Sequence, residues 1–372
     1  MRSATPREVG HRCRSTSRVL PRLRQRRADK LRELRLVKSL FLISSVFQSI
    51  TAMKNKLFVC IVSLCLLSSV VAQDTKTEDH SNMVIADVHR HVQHWITPTS
   101  LLAEMDELKI GWAGAVSAPY GPWDVKPYMQ LLGKRYIATT GQMTLTDIHR
   151  FKGVRGIEDA QTQDYKALVD EANRFFEAGA IMGLGELILN NENTNPNPSF
   201  RRKARIDSPG ITQLLDIAKR WNGFVQIHAE DDVNSVKELS NIASLYTNVP
   251  IILSHCLFTP NATLIDDLLS THSNLYCEMS ARNESMYGNY FAKQRAEKFG
   301  WIIFDEQNLK PDWKALIEKH PTRFMVGTDN YNASVDTRKV VRQIRQGLLR
   351  NLPIDVAKLV ASGNAIRVMR LE

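Results

Sequence analysis

Cysteine is scarce in this sequence, with five in 372 residues. Cys13, Cys60 and Cys65 lie within the first 72 residues, so only Cys256 and Cys277 belong to the longer remainder of the chain. Two cysteines exclude a scaffold built on disulfides. Both lie in apolar, strand-like runs, where we expect small buried thiols, with a single bridge as the alternative.

Most of the chain also lacks an excess of charge of either sign. The formal net charge is +10, but residues 1–52 hold thirteen basic and three acidic side chains, and the remaining residues hold 36 of each sign. A neutral body lacks the broad basic surface expected of a nucleic-acid enzyme. We therefore expect a small-molecule substrate and no nucleic-acid partner, in a protein whose sequence is compatible with a homo-oligomer.

The apolar run at 57–72 has 16 residues, fewer than the about 20 that a membrane-spanning helix needs. Two lysines precede the run, and Val-Val-Ala ends it, as in a secretory signal peptide. We predict a signal peptide at 53–73, initiation at Met53, and a non-native or unstructured basic extension over 1–52. The alternative for 1–52 is a cytoplasmic arm on an uncleaved signal anchor. We expect a secreted or periplasmic protein without a stable membrane anchor.

After a polar linker at 74–82, short apolar runs alternate with amphipathic, helix-like stretches. The apolar runs predict eight strands, at 83–92, 110–120, 135–142, 180–189, 223–230, 250–257, 274–280 and 323–330. Strands that are apolar on both faces and alternate with helices indicate parallel pairing. Eight such units over about 290 residues predict one (β/α)8 TIM barrel at 83–372. No glycine-rich phosphate fingerprint follows the first strand, which disfavours a doubly wound dinucleotide fold.

The first predicted strand contains Ile-Ala-Asp-Val-His-Arg-His-Val at 85–92. Period-two alternation puts Asp87, His89 and His91 on one face, with the histidines nearest the C-terminal end of the strand. Two histidines at i and i+2 converge on one ion only from an extended chain. We interpret Asp87, which lies deeper, as a structural group that supports the ligands.

Four more ionisable residues stand near the C-terminal ends of later predicted strands, where a TIM barrel carries its catalytic groups. They are Glu186, His228, His255 and Asp329. Each alone is most simply a hydrogen-bonded structural group, but burying six such groups around one barrel mouth without a cation would be very costly. Imidazole and carboxylate are the usual ligands of Zn²⁺. We therefore predict one or two divalent ions, Zn²⁺ first and Mn²⁺ as the alternative, bound by His89, His91, Glu186, His228, His255 and Asp329.

These motifs resemble the amidohydrolase superfamily of metal-dependent hydrolases, and within it amidohydrolase family 2. The resemblance spans residues 83–370 and includes the closing stretch KLVASGNAIRVM at 358–369. It implies that His89, His91 and Asp329 share one ion, and that His228 and His255 bind a second. In a one-metal enzyme, His255 would instead polarise the substrate. Glu186 stands where many two-metal members have a carboxylated lysine and is similar to the glutamate of the TatD-like phosphodiesterase branch.

The resemblance implies an exported hydrolase in which metal-activated water attacks an amide, lactone or ester. Asp329 would carry the proton, and the metal or protonated His255 would stabilise the oxyanion. Two alternative activities are phosphodiester or phosphotriester hydrolysis and metal-dependent decarboxylation. A barrel that binds a ligand or metal without catalysis is the third alternative, and the presence of both Asp329 and Glu186 counts against it.

Two loop features bear on the substrate. Trp95, Tyr120 and Trp123 follow the first two predicted strands and would form an apolar wall, or else pack against the outer helices. The long polar loop at 190–210 carries a basic cluster, which is usually solvated. If this loop folds over the barrel mouth, its cluster would favour an anionic substrate; the cluster consists of Arg201, Arg202, Lys203 and Arg205.

Overall fold

A computed structural model of the chain describes residues 80–93, 95–116, 126–331 and 333–371. The chain divides into two units, Met1–Thr75 and Lys76–Glu372. The first unit, with the predicted extension and signal peptide, lies outside the described residues, so those predictions stay predictions. Within the described part of the chain, no helix combines the length and apolar character needed to cross a membrane.

The described residues form nine short strands, and every pair of neighbours is parallel. The strands are β1 (Ile85–Asp87), β2 (Ile110–Gly114), β3 (Tyr136–Ile137), β4 (Thr139–Gly141), β5 (Gly183–Ile188), β6 (Phe224–His228), β7 (Ile251–Leu253), β8 (Leu275–Glu278) and β9 (Phe324–Met325). β1 to β3 form one ladder and β4 to β9 the other, with only Ala138 between β3 and β4. A bridge from Asp87 to Val326 joins the first strand to the last and closes the ring. The fold is the predicted (β/α)8 barrel, with its third strand divided in two.

Helices lie between the strands and after the last one. In the described residues they are α1 (Pro98–Glu107), α2 (Lys126–Leu132), α3 (Gln142–Glu158), α4 (Gln163–Glu177), α5 (Pro209–Trp221), α6 (Val233–Leu245), α7 (Ala262–Thr271), α8 (Tyr290–Lys298), α9 (Pro311–Lys319), α10 (Thr337–Gln343), α11 (Ile354–Lys358) and α12 (Asn364–Met369). Side-chain oxygens cap several first turns, as Asp232 does for α6 and Asn261 for α7. Gly179 follows α4 with φ 62°, a left-handed value that favours glycine.

A cluster of buried apolar residues closes one end of the barrel. It joins Phe224, Ile252 and Met325 of the strands to Val368 and Met369 of α12. Phe224 is the first residue of β6, whereas His228 is the last. The C-terminal helix therefore packs at the amino-terminal end of the strands and leaves the opposite end for the polar residues.

Candidate metal centre

The ends of β1 and β9 bring two histidines and an aspartate together. His89 and His91 follow β1, Asp329 follows β9, and the Asp329 amide donates to the His89 carbonyl at 2.8 Å. Asp329 Oδ1 lies 3.6 Å from His89 Nε2 and 3.3 Å from His91 Nε2. All three side chains are buried. The first predicted ligand set therefore lies within reach of a single ion.

Asp87 lies next to this group and holds β1 against the last strand. Its carboxylate accepts hydrogen bonds from the Thr328 amide at 2.8 Å, the Thr328 hydroxyl at 2.6 Å and the His89 amide at 3.3 Å. Burial raises the pKa of Asp87, and the charge of Arg90 and the Thr328 bonds offset only part of that rise. These contacts agree with the structural role expected from its position in the strand.

Glu186 of β5 faces a second set of imidazoles. Its Oε1 lies 2.9 Å from His228 Nδ1 and 3.4 Å from His255 Nε2, while its Oε2 lies 3.6 Å from His89 Nε2. One carboxylate therefore stands between the two sets, in the position that a bridging ligand requires. All six predicted ligands meet at one end of the barrel, and their roles as ligands stay predictions.

The separations between these donor atoms suit a divalent ion. Tetrahedral coordination with bonds of about 2.0–2.1 Å puts neighbouring ligand atoms about 3.3–3.4 Å apart. The contacts within the two sets range from 2.9 to 3.6 Å. The ligand atoms of each set also lie within 4.8 Å of one another. Imidazole nitrogens with carboxylate oxygens are a donor set that fits Zn²⁺ and similar ions.

The two carboxylates of the centre are held in their charged form. Burial by itself raises the pKa of Glu186, but the charges of His89 and His228 outweigh it and bring that pKa well below its usual value. Burial likewise raises the pKa of Asp329, and His89 and the hydrogen bond from His91 outweigh it. Buried anions of this kind require a positive partner, which protonated imidazoles or a bound divalent cation can supply.

Sequence reasoning misses Glu278, the last residue of β8. Its Oε2 accepts the Nδ1 proton of His89 at 2.9 Å and the Ser280 hydroxyl at 2.7 Å, and the side chain is fully buried. Burial lowers the pKa of His89, but Glu186 and Glu278 outweigh it, and that pKa lies well above its ordinary value. Because the Nδ1 atom of His89 is hydrogen-bonded to Glu278, its Nε2 atom faces Asp329 and Glu186. The sequence does contain a signal for Glu278: it is an acidic residue at the end of an apolar run, where the other site residues also lie.

Replacing Glu278 with glutamine is expected to lower the affinity for Zn²⁺ about 10- to 100-fold, because the charged acceptor that orients His89 is lost. Competition with a chromogenic chelator measures the change. Glu318→Gln, an exposed change on α9, is the matched control and should leave the affinity unaltered. An unaltered affinity in Glu278→Gln would remove Glu278 from the centre.

His255 is oriented by residues that follow β8. Its Nδ1 donates to the Ser280 carbonyl at 3.1 Å, which leaves Nε2 facing Glu186. Residues 255–258 all have positive φ, from 48° to 61°. A left-handed run without glycine costs roughly 1–2 kcal/mol per residue. Contacts elsewhere must therefore hold His255 in place, and Arg282 donates to its carbonyl at 2.9 Å.

Cys256 and Cys277 form a disulfide, so the expectation of two free thiols is wrong and the single bridge is what the structure contains. Their Cα atoms are 4.9 Å apart, within the usual range for a bridge. Cys256 directly follows His255, and Cys277 directly precedes Glu278. The bridge therefore joins the chain beside two residues of the centre.

A cavity of about 450 Å³ opens onto the centre, a size suited to a small molecule. Besides five candidate ligands, its walls are apolar, aromatic, amide or hydroxyl side chains: Gln93, Gln142, Met143, Ile188, Asn191, Thr194, Asn195, Pro196, Phe258, Ala281, Met286, Tyr287, Trp301 and Tyr331. Trp95 does not line it, and Tyr120 and Trp123 lie outside the described residues. None of the four basic residues of the 190–210 loop lines it either.

No known protein-family profile matches the sequence, and no curated protein matches it. Solved structures do resemble the fold. An amidohydrolase from Burkholderia multivorans with bound zinc aligns with a TM-score of 0.47 and 13% identity, over 74% of this chain and 89% of that one. A probable 2-pyrone-4,6-dicarboxylic acid hydrolase from Acinetobacter baumannii aligns at 0.43 and 14%, over 77% and 100%.

A third similar structure is 2,6-dihydroxybenzoate decarboxylase from Rhizobium, with a TM-score of 0.43 and 10% identity, over 78% of this chain and 99% of that one. Similarity at this level carries no argument about activity, which depends on the residues of the centre.

Proposed function

We propose that this chain is an exported, metal-dependent enzyme of the amidohydrolase superfamily that hydrolyses an amide, lactone or ester bond of a small molecule. One observation carries the proposal: six buried donor groups meet beneath a cavity, at separations that suit a divalent ion. Export is proposed from the signal peptide predicted at 53–73. The proposed site has one ion held by His89, His91 and Asp329, and a second by His228 and His255, with Glu186 between them.

A bound divalent ion would lower the pKa of water to about 7 and so supply hydroxide at neutral pH. In this proposal, Asp329 accepts the proton of the attacking water and delivers it to the leaving group. Its contact with His91 and the backbone bond to His89 hold the carboxylate at the centre.

If the site holds one ion, we propose that His255 stabilises the oxyanion through its protonated imidazole, because an imidazole whose Nε2 binds a second ion cannot carry that proton. Its Nδ1 is held by the Ser280 carbonyl, so the Nε2 side is the one available to the substrate or to a second ion. Phe258, packed against the His255 ring at a centroid distance of 4.3 Å, shields one face of that imidazole from water. Shielding of this kind strengthens an electrostatic contact to the developing charge.

Metal removal tests the proposal directly. Elemental analysis of the purified full chain is expected to find one or two equivalents of a transition metal. Dialysis against a chelator should abolish hydrolysis, and Zn²⁺ or Mn²⁺ should restore it, whereas Mg²⁺ should not. A panel of amides, lactones, esters, phosphodiesters and aromatic carboxylates identifies the reaction, and release of CO₂ would assign a decarboxylase instead. A metal-free preparation whose activity survives the chelator would refute the proposal.

A further inference from the structure

The described residues that line the cavity include no lysine or arginine that could neutralise a substrate anion. Among the described residues that line it, the only ionisable groups are the candidate ligands and two tyrosines, Tyr287 and Tyr331. The internal stretches outside the described residues, at 94, 117–125 and 332, contain no lysine or arginine. A charged group placed away from the metals would therefore lose its hydration without gaining a cationic partner.

The basic cluster of the long loop is engaged elsewhere. Arg201 donates to the Asn195 carbonyl at 2.8 Å, Lys203 pairs with Asp232 at 3.2 Å, and Arg205 pairs with Asp207 at 2.8 Å. These contacts hold the loop together and keep the charges of Arg201, Lys203 and Arg205 away from the cavity walls.

Two arginines lie near the site without lining the cavity: Arg202, the remaining member of the basic cluster, and Arg295. Arg202 is buried, with its Nη2 3.4 Å from the Thr146 hydroxyl on α3. Arg295 of α8 donates to the Asn193 carbonyl, and its guanidinium carbon lies 5.9 Å from the centre of the Trp301 ring. Neither side chain reaches the cavity surface.

Aromatic rings form a continuous wall that leads away from the metal centre. The ring of Phe258 lies 4.3 Å from that of His255 and 5.3 Å from that of Trp301, and Tyr287 lies 6.3 Å beyond Trp301. Phe299 stacks on Trp301 at 5.2 Å with an interplanar angle of 12°. The planes of Phe258 and Trp301 meet at 57° and those of Trp301 and Tyr287 at 32°, so the wall is curved and can contact another ring by offset or edge-to-face packing.

Apart from the candidate ligands, the polar groups of the cavity are neutral amides and hydroxyls. Gln93, Asn191, Asn195 and Thr194 each combine donor and acceptor atoms, so they suit carbonyl and hydroxyl groups of an uncharged molecule. The buried Glu230 carboxylate accepts the Thr194 amide at 2.6 Å and so holds this part of the loop in place. The polar part of the lining is thus ordered and uncharged.

We propose that the substrate is an uncharged molecule with a flat aromatic group, seated on the wall of Phe258, Trp301 and Tyr287. This inference rests on the proposed function for the reacting end of the substrate. The binding site inferred for the aromatic group, which we call the seat, depends only on the residues that line the cavity. Anionic substrates, including those of phosphodiester hydrolysis and decarboxylation, are disfavoured because no lysine or arginine is among the described residues that line the cavity.

A binding experiment on the full, metal-loaded chain tests the seat independently of turnover. The probes are phenyl methyl sulfone, benzenesulfonate and dimethyl sulfone, which separate the aromatic ring from the charge. Sulfones and sulfonates are weak metal ligands, so their binding reports on the walls. Ligand-detected NMR is expected to show phenyl methyl sulfone binding at least tenfold more tightly than each of the others. Equal or tighter binding of benzenesulfonate, or no binding of any probe, would overturn the inference.

Variants locate the seat. Trp301→Leu should weaken binding of phenyl methyl sulfone about tenfold, whereas Trp95→Leu, a change outside the cavity, should leave it unaltered. Ile188→Arg places a cation in the cavity wall and should raise the affinity for benzenesulfonate about tenfold, which tests the site even where Trp301→Leu fails to fold. An unaltered affinity for both probes in both cavity variants would show that they bind elsewhere, and would overturn the inference.

Hydrolysis separates the two proposals. Dihydrocoumarin should be cleaved with a kcat/KM at least tenfold above that of its ring-carboxylate analogue. Binding preference without metal-dependent hydrolysis of any panel member would refute the hydrolase and leave the seat standing. Faster cleavage of the carboxylate analogue would refute the seat and leave the hydrolase standing.

Discussion

Replacing Asp329 with asparagine is expected to abolish turnover while most of the bound metal remains. Positioned proton transfer contributes about 10²- to 10⁴-fold to enzymatic rates, and the asparagine amide cannot accept a proton. Its carbonyl oxygen can still occupy the place of Oδ1, and His89, His91 and Glu186 remain as ligands. The variant should therefore separate the proton carrier from the metal site.

The backbone at Asp329 makes this substitution structurally mild. Its φ of 46° is left-handed, and asparagine tolerates such values as well as aspartate does. The backbone bond from the Asp329 amide to the His89 carbonyl does not involve the side chain. A loss of activity in a folded variant can thus be assigned to the missing carboxylate.

Steady-state kinetics and elemental analysis, made on the same preparation, measure the outcome. Asp355→Asn, an exposed change on α11, is the matched control and should retain full activity and metal. Activity within tenfold of the parent would refute the proton-carrier role. Loss of metal together with activity would make Asp329 chiefly a ligand.

The barrel could be predicted because its strands are apolar on both faces, so that each appears as a compact run between amphipathic stretches. The first and last residues of the strands could be predicted less accurately. The run at 250–257 continues in sequence beyond the point where β7 ends, because residues 255–258 turn left-handed. Contacts with another part of the chain hold that turn, and hydrophobic periodicity does not report them.

The six predicted ligands meet because parallel strands in a closed barrel bring all their carboxyl ends to one face. Glu278 obeys the same rule, so the sequence contains its signal. The sequence alone does not decide whether the two cysteines form a disulfide, since cysteines in separate strands pair only if the strands are neighbours. The register of Leu253 with Cys277 makes β7 and β8 neighbours, which brings Cys256 beside Cys277.

Arg282 has no such signal, because its partners are backbone carbonyls. It follows β8 and donates to the carbonyls of His255 at 2.9 Å, Thr259 at 2.6 Å and Trp301 at 2.7 Å. The side chain is fully buried and lies 4.6 Å from the ring centre of Trp313. Burial lowers the pKa of Arg282 to about 10, so it stays charged at neutral pH. It holds both ends of the left-handed turn that carries His255.

Replacing Arg282 with methionine is therefore expected to lower the free energy of unfolding by about 3–5 kcal/mol, since it leaves three carbonyls without their donor. The melting temperature should fall on the order of 10 °C. At temperatures where the variant is folded, kcat should fall because His255 is no longer fixed, while the metal that we propose His89, His91 and Asp329 hold should remain.

Arg323→Met is the matched control for this change. Arg323 also donates to backbone carbonyls, including that of Leu275 at 2.9 Å, but at the opposite end of β8 from the centre. Its loss should cost stability without changing kcat in the folded protein, whereas Arg282→Lys should restore part of both properties. If Arg282→Met and Arg323→Met lowered stability by the same amount and neither changed kcat, Arg282 would not be needed to hold the turn. The disulfide at Cys256 would then be the contact that keeps His255 in position.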